Sequence, residues 1–246
     1  VPSSAGDVEH VAAPRQIALS SVSYTYHAED GTPLRHAVRE VSAAFREGEI
    51  SFIGGGNGSG KSTLARCLAL LYFPTSGCIE FDGCEVDRNN IIGMRQHIAA
   101  VFSDYHVFDE LYLEGERASH ESVQHYLARL RLPHVVTCPG GKLSAVNLST
   151  GQRKRLAMLV ALLEDRKIYI FDEWAAEQDP EYRDFFYLTL LPKLKSENKI
   201  VIVISHDDRY FRYADVVVKM DAGQAEIRRV MQAPAAQPQM TTLGLT

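Results

Sequence analysis

The residues best suited to chemistry stand in one stretch, Gly54-Gly55-Gly56-Asn57-Gly58-Ser59-Gly60-Lys61-Ser62-Thr63. Gly55, Gly60, Lys61 and Ser62 satisfy the spacing G-x-x-x-x-G-K-[ST], which belongs to a loop that wraps a polyphosphate. Such a loop must turn its backbone N–H groups inward, through φ/ψ values that in part only glycine adopts. A helix beginning near Gly60 adds its positive dipole end to the same place. Lys61 can then reach the β- and γ-phosphates, and the Ser62 hydroxyl can ligate Mg2+. The plainer alternative is a flexible glycine-rich turn. What favours the phosphate loop is its setting: the apolar run Ile50-Ser51-Phe52-Ile53 before it reads as a buried strand, and residues 64–71 after it read as a helix.

Two more places carry groups of the right kind. Lys167-Ile168-Tyr169-Ile170-Phe171-Asp172-Glu173 is an apolar strand closed by two carboxylates. Alone it is equally a strand with a solvated acidic end. Downstream of a phosphate loop, Asp172 can hold Mg2+ and Glu173 can accept a proton from an attacking water. A second apolar strand, 199–204, ends at Ser205-His206-Asp207-Asp208, which puts an imidazole at a strand end. Tyr26 closes a strand over 16–26 upstream of the loop, where it either stacks on a purine ring or packs as an ordinary strand-end aromatic.

Positioning these groups calls for apolar strands alternating with helices, hence a mostly parallel sheet covered on both faces. Ligands of such sheets sit outside the carboxyl ends of the strands, where Gly55–Ser62, Asp172-Glu173 and His206 all fall. The fold class expected is α/β, a P-loop NTPase core flanked by helices, with an N-terminal antiparallel β subdomain and an inserted helical subdomain. Residues 1–15 read as a linker or disordered arm, 16–230 as the unit carrying the phosphate loop and 231–246 as a disordered Ala/Pro/Gln-rich tail. The insertion, about 104–160, contains a helix over 119–130 with Val123, Tyr126, Leu127 and Leu130 on one face. A second helix over 153–164 presents Leu156, Leu159, Val160 and Leu163. An amphipathic helix is expected over 180–195, with Pro180 near its start.

A net charge of −5 gives no electrostatic case for nucleic acid. The four cysteines, Cys67, Cys78, Cys84 and Cys138, lack metal-site spacing and read as free thiols of a reducing compartment. No apolar run approaches the roughly 18 residues that span a bilayer, and no signal peptide opens the chain. The first residue is Val1 rather than Met, as in a piece of a longer chain.

With Leu148-Ser149-Thr150-Gly151-Gln152 and Ser205-His206-Asp207 added, the set resembles the ATPase domain of ABC proteins over about residues 17–229. The resemblance implies that Gly55, Asn57, Gly58, Ser59, Gly60, Lys61, Ser62 and Thr63 hold the phosphates of ATP, as the Walker A segment. Ser62 and Asp172 would hold Mg2+, with Asp172 as the Walker B aspartate and Glu173 as the catalytic base. Lys61 and His206 would act at the γ-phosphate, Asp179 would be the D-loop aspartate and Tyr26 the adenine-stacking aromatic. Ser149, Gly151 and Gln152 precede or open a helix, and so form a second phosphate-binding surface. In the family a second copy supplies that surface, sandwiching two ATP molecules in a head-to-tail homodimer that drives a transmembrane domain. The run Arg153-Lys154-Arg155 reads as a solvated first turn with some pairing inside the domain.

Two positions depart from the family. Ser103-Asp104 stands where a Gln usually contacts Mg2+; a serine is too short to reach as Gln does, so Ser103 enters the metal set only with water or Asp104 as a bridge. Thr150 replaces a usual Gly. These departures, with Asp172-Glu173-Trp174-Ala175-Ala176-Glu177-Gln178-Asp179-Pro180, resemble the bacterial cyclic-peptide exporter subfamily of the pyoverdine and syringomycin type. That implies export of a cyclic peptide or siderophore-type substrate from the cytoplasmic face of the inner membrane, by a membrane domain on the same polypeptide. Two other readings compete: an ABC ATPase acting on nucleic acid or ribosomes, disfavoured by the missing basic face, and a nucleotide-gated dimerisation module, disfavoured by Lys61, Asp172, Glu173 and His206.

Overall fold

The computed structural model describes residues 12–103, 110–112, 120–132, 136–137, 142–145 and 149–230. Most of the expected arm, the whole expected tail, Asp104, Cys138 and Leu148 lie outside the described residues. The elements in chain order are β1 (Gln16–His27), β2 (Pro33–Arg46), β3 (Glu49–Gly55), α1 (Lys61–Leu68), β4 (Ser76–Phe81), β5 (Cys84–Glu85) and α2 (Ile91–Arg95). Then come β6 (Ile98–Val101), β7 (Glu110–Tyr112), α3 (His120–Arg129), β8 (Val136–Thr137), β9 (Lys142–Ala145) and α4 (Thr150–Glu164). The chain continues with β10 (Ile168–Asp172), α5 (Pro180–Phe185), α6 (Leu191–Ser196), β11 (Ile200–Ile204), β12 (Val216–Asp221) and β13 (Gln224–Arg229).

Six strands make the central sheet in the order β13-β12-β3-β11-β10-β6. All neighbours are parallel except the β12–β13 hairpin. Every residue of β10 and β11 is buried, as a strand covered on both faces requires. Alternation divides them: Ile168, Ile170, Ile200, Ile202 and Ile204 pack with Leu64 and Leu68 of α1 and with Ile17 and Phe45 of the first sheet. Tyr169, Phe171, Val201 and Val203 face the other way, onto Met158, Phe186, Tyr187 and Leu194. The first sheet, β2-β1-β4-β5, is antiparallel throughout, so the N-terminal β subdomain is present as expected.

A third apolar cluster joins Val123 and Leu127 of α3, and Leu130 just past its end, to Leu156, Leu159 and Leu163 of α4, the two faces read from helical spacing. The inserted region is less purely helical than its sequence suggests. Its described parts include the small antiparallel sheet β7-β9-β8, whose strands of two to four residues are too short to show a period. The helix expected over 180–195 is also interrupted. Residues 186–190 form a π-helical turn between α5 and α6. Pro192 lacks the N–H that would bond to Leu188, and its ring crowds that carbonyl, so the turn before it widens. Cys67, Cys78 and Cys84 are free thiols, and burial pushes Cys67 up to about 12. Among the described residues no helix is long and apolar enough to cross a membrane.

Candidate nucleotide site

Strand register levels the candidate groups. Asp172 pairs with Ile204, and Ile204 pairs with Ile53. Gly54, Ser205 and Glu173 therefore each stand one residue past the same rung, on strands spaced about 4.8 Å apart. Phe171 pairs with Val101, so Ser103 lies at the level of Glu173 on the far side of β10, exposed in a turn.

The loop after β3 needs its glycines. Gly55, Gly58 and Gly60 have φ of 142°, 75° and 105°. A Cβ on Gly55 would stand 2.2 Å from the Met220 carbonyl oxygen, and one on Gly60 would stand 2.1 Å from that of Ala37. The chain thus closes on itself around a concave run of backbone. Lys61 is the first residue of α1, only 5% exposed, and its Nζ donates to the carbonyls of Gly55 at 3.0 Å and Gly56 at 2.8 Å. Burial lowers its pKa, while the charges of Glu173 and Asp172 act in the opposite direction, so loop cation and strand-end carboxylates share one field. Ser59 Oγ is buried with no hydrogen-bond partner among the described residues, and Asn57 is exposed on the loop. Arg35 of β2 also donates to the Gly58 carbonyl. Nothing in its spacing announces that contact, which arises from β2 folding back beside the loop.

Asp172 is buried at the end of β10. Glu173 follows with φ 52°, a left-handed conformation uncommon for a non-glycine residue and frequent where chemistry is done. Its N–H donates to the Ile204 carbonyl at 3.0 Å, and its Oε1 lies 2.5 Å from His206 Nε2. The sheet thus brings together a carboxylate and an imidazole separated by 33 positions in the chain. Behind His206, Ser205 Oγ bonds to Tyr187 Oη at 2.9 Å and accepts from the Asp207 N–H at 3.0 Å. Burial pushes the Tyr187 phenol up to about 12. The Asp207 carboxyl is held below the usual range, chiefly by its hydrogen bonds from the Arg209 guanidinium. A cavity of about 280 Å³ opens beside this pair, lined by Glu173, Arg183, Tyr187, Ser205, His206 and Asp207.

Among the described residues no three His, Cys, Asp or Glu side chains converge as an all-protein metal cage. Mg2+ does not ask for one: one or two protein oxygens suffice when phosphates and water complete its octahedron. The Ser62 hydroxyl in the first turn of α1 and the buried Asp172 carboxylate are hard oxygen donors of that sort, so the residues present fit Mg2+.

Ser149 caps α4 in a reciprocal box: its Oγ accepts from the Gln152 N–H at 3.3 Å, and the Gln152 side chain accepts from the Ser149 N–H at 2.9 Å. Gln152 is therefore engaged in shaping the turn. Gly151 accepts from Gln178 Nε2 at 3.3 Å, and Asp179 is exposed at the N-cap of α5. Tyr26 is half-buried, bonded to Thr63 Oγ1 at 3.0 Å and set edge-on to Tyr24. The solvated first turn expected at 153–155 is corrected. Arg153 is exposed, but Lys154 and Arg155 are 3% and 8% exposed. Lys154 pairs with Glu177 at 3.1 Å, and the Arg155 guanidinium stacks 3.9 Å over the Tyr182 ring. The pairing inside the domain was legible; the burial was not, because it follows from how α4 packs on residues 173–182.

The profile of the ABC transporter family matches residues 38–176, more than half of the chain. The chain belongs to the ABC transporter family. It is an ATPase domain of that family, a P-loop ATP hydrolase. Over 190 residues it is 44% identical to the ATP-binding protein SyrD of Pseudomonas syringae pv. syringae, covering 76% of this chain and 34% of SyrD. The chain thus spans about a third of that relative's length. It is 30% identical over 223 residues to the energy-coupling factor transporter ATP-binding protein EcfA2 of Staphylococcus aureus, covering 84% of this chain and 77% of EcfA2. Its fold matches the dimeric structure of MJ0796, a bacterial ABC transporter cassette, at TM-score 0.72 and 23% identity over 87% of this chain and 99% of that one. It also matches a bacterial Atm1-family ABC exporter with ATP bound, at TM-score 0.74 and 21% identity over 92% of this chain and 41% of that one. The ABC assignment read from the motifs agrees with these likenesses.

Proposed function

We propose that this ABC ATPase domain hydrolyses MgATP in a head-to-tail homodimer and powers export of a cyclic peptide or siderophore-type substrate across the bacterial inner membrane. The observation that carries the hydrolytic reading is the Glu173–His206 contact of 2.5 Å, at strand ends level with the phosphate loop. In this reading Gly55–Thr63 cradles the phosphates, Lys61 neutralises their charge, and Ser62 and Asp172 hold Mg2+, which supplies further neutralisation when bound. Glu173 takes a proton from the water that attacks the γ-phosphorus as the bond to the ADP oxygen breaks, and His206 orients both. Tyr26 lies against the adenine. Ser149 and Gly151, on the turn shaped by Gln152, face the ATP held by the second copy, with Asp179 beside the join.

The unit spans 16–230, with 104–160 as its inserted subdomain. It would sit on the cytoplasmic face, coupled to a transmembrane domain. The cyclic-peptide reading is supported by the motif resemblance and by 44% identity to SyrD. The sequence encoded upstream of Val1 tests it: six apolar segments of about 20 residues each are expected. An upstream stretch with no such segments contradicts the exporter reading.

A further inference from the structure

Lys154 of α4 contacts the chain on both sides of the Glu173–Trp174 peptide bond. Its carbonyl accepts from Trp174 Nε1 at 2.9 Å, and its Nζ donates to the Glu173 carbonyl at 3.4 Å. The same ammonium pairs with Glu177 at 3.1 Å. Three residues earlier, the Gly151 carbonyl accepts from Gln178. Four contacts therefore tie the first turn of α4, capped by Ser149, to the segment 173–178.

The cation is not there to be solvated. Its side chain is 4% exposed, and an apolar side chain of equal length would fill the space without desolvating a charge. What a cation adds is a hold on Glu173 whose geometry matters. Glu173 sits in left-handed backbone, and its N–H is fixed on the other side by Ile204. Since φ and ψ set where Cβ points, whatever fixes this peptide also fixes the carboxylate that meets His206.

We propose that Lys154 is a positioning residue for ATP hydrolysis, fixing the Glu173 peptide and carrying any displacement of the Ser149–Gln152 turn to it. The inference rests on Glu173 being the base. One subunit would thereby link the turn facing its partner's nucleotide to the carboxylate serving its own.

The test is Lys154→Met, which keeps the apolar stem and removes the charge. Steady-state phosphate release, MgATP affinity and melting temperature are measured together. The expected result is a kcat lowered about tenfold or more, with Kd and melting temperature close to the parent, because small misplacements of a reacting group cost rate rather than binding. Glu177→Gln is expected to lower kcat less, and the double variant is expected to be no slower than Lys154→Met alone. A kcat within about twofold of the parent for Lys154→Met overturns the proposal. So does a parallel loss of kcat, affinity and melting temperature, which marks a structural prop. Glu173→Gln, assayed alongside, separates the two readings: parental turnover in that variant removes the base and this inference with it.

Discussion

Replacing Glu173 by Gln is expected to lower ATP turnover by about 10²- to 10⁴-fold, the range lost when a positioned general base is removed. Gln has the same shape and can still bond to His206 Nε2, which Glu173 meets at 2.5 Å, so the strand end keeps its geometry. What disappears is the proposed acceptor for the proton of the attacking water. MgATP affinity is expected to stay near the parental value, since the groups proposed to hold phosphate lie in the loop after β3. In the proposed dimer, bound ATP that is not hydrolysed would hold the two copies together, so size-exclusion chromatography in MgATP is expected to show a dimer that dissolves when nucleotide is withdrawn. Turnover within tenfold of the parent contradicts the assignment of Glu173.

The second large effect belongs to Lys61. Its ammonium lies in the fold of the loop, on the carbonyls of Gly55 and Gly56, with the charges of Asp172 and Glu173 supporting the protonated form against burial. Lys61→Ala removes a charge-assisted contact worth about 1.5–3 kcal/mol, so Kd for MgATP is expected to rise by one to two orders of magnitude. Equilibrium binding of a fluorescent ATP analogue measures it, with melting temperature recorded to exclude collapse of the loop. An unchanged Kd contradicts the phosphate-loop reading.

Much of the site was legible because each part ends a short apolar strand. Ile50–Ile53, Ile168–Phe171 and Ile200–Ile204 read as buried strands of a covered sheet and are found there, and register then levels whatever follows them. The glycine spacing pointed to the strand end proposed to receive phosphate, and the backbone angles of Gly55, Gly58 and Gly60 bear out the need for glycine there. The contacts that remained hidden are tertiary. Lys154 is one of three consecutive basic residues, and a helical turn spreads three neighbours around its axis, so sequence cannot say which of them point inward. It is buried because α4 packs against residues 173–178, a choice made about 20 positions downstream. The Arg35 contact to Gly58 depends in the same way on β2 returning past the loop. The strands of β7-β9-β8 escaped because runs of two to four residues show no alternation long enough to read.

The central claim is that the glycine-lined loop and the carboxylate ending β10 meet at one terminal phosphate. A crystal structure of the Glu173→Gln variant with MgATP tests it most directly. The triphosphate is expected inside residues 55–63, with Lys61 Nζ turned from its carbonyls onto phosphate oxygens. The residue-173 side chain is expected about 2.6–3.2 Å from a water in line with the γ-phosphorus. A triphosphate bound elsewhere, or a residue-173 side chain out of reach of any such water, contradicts the account.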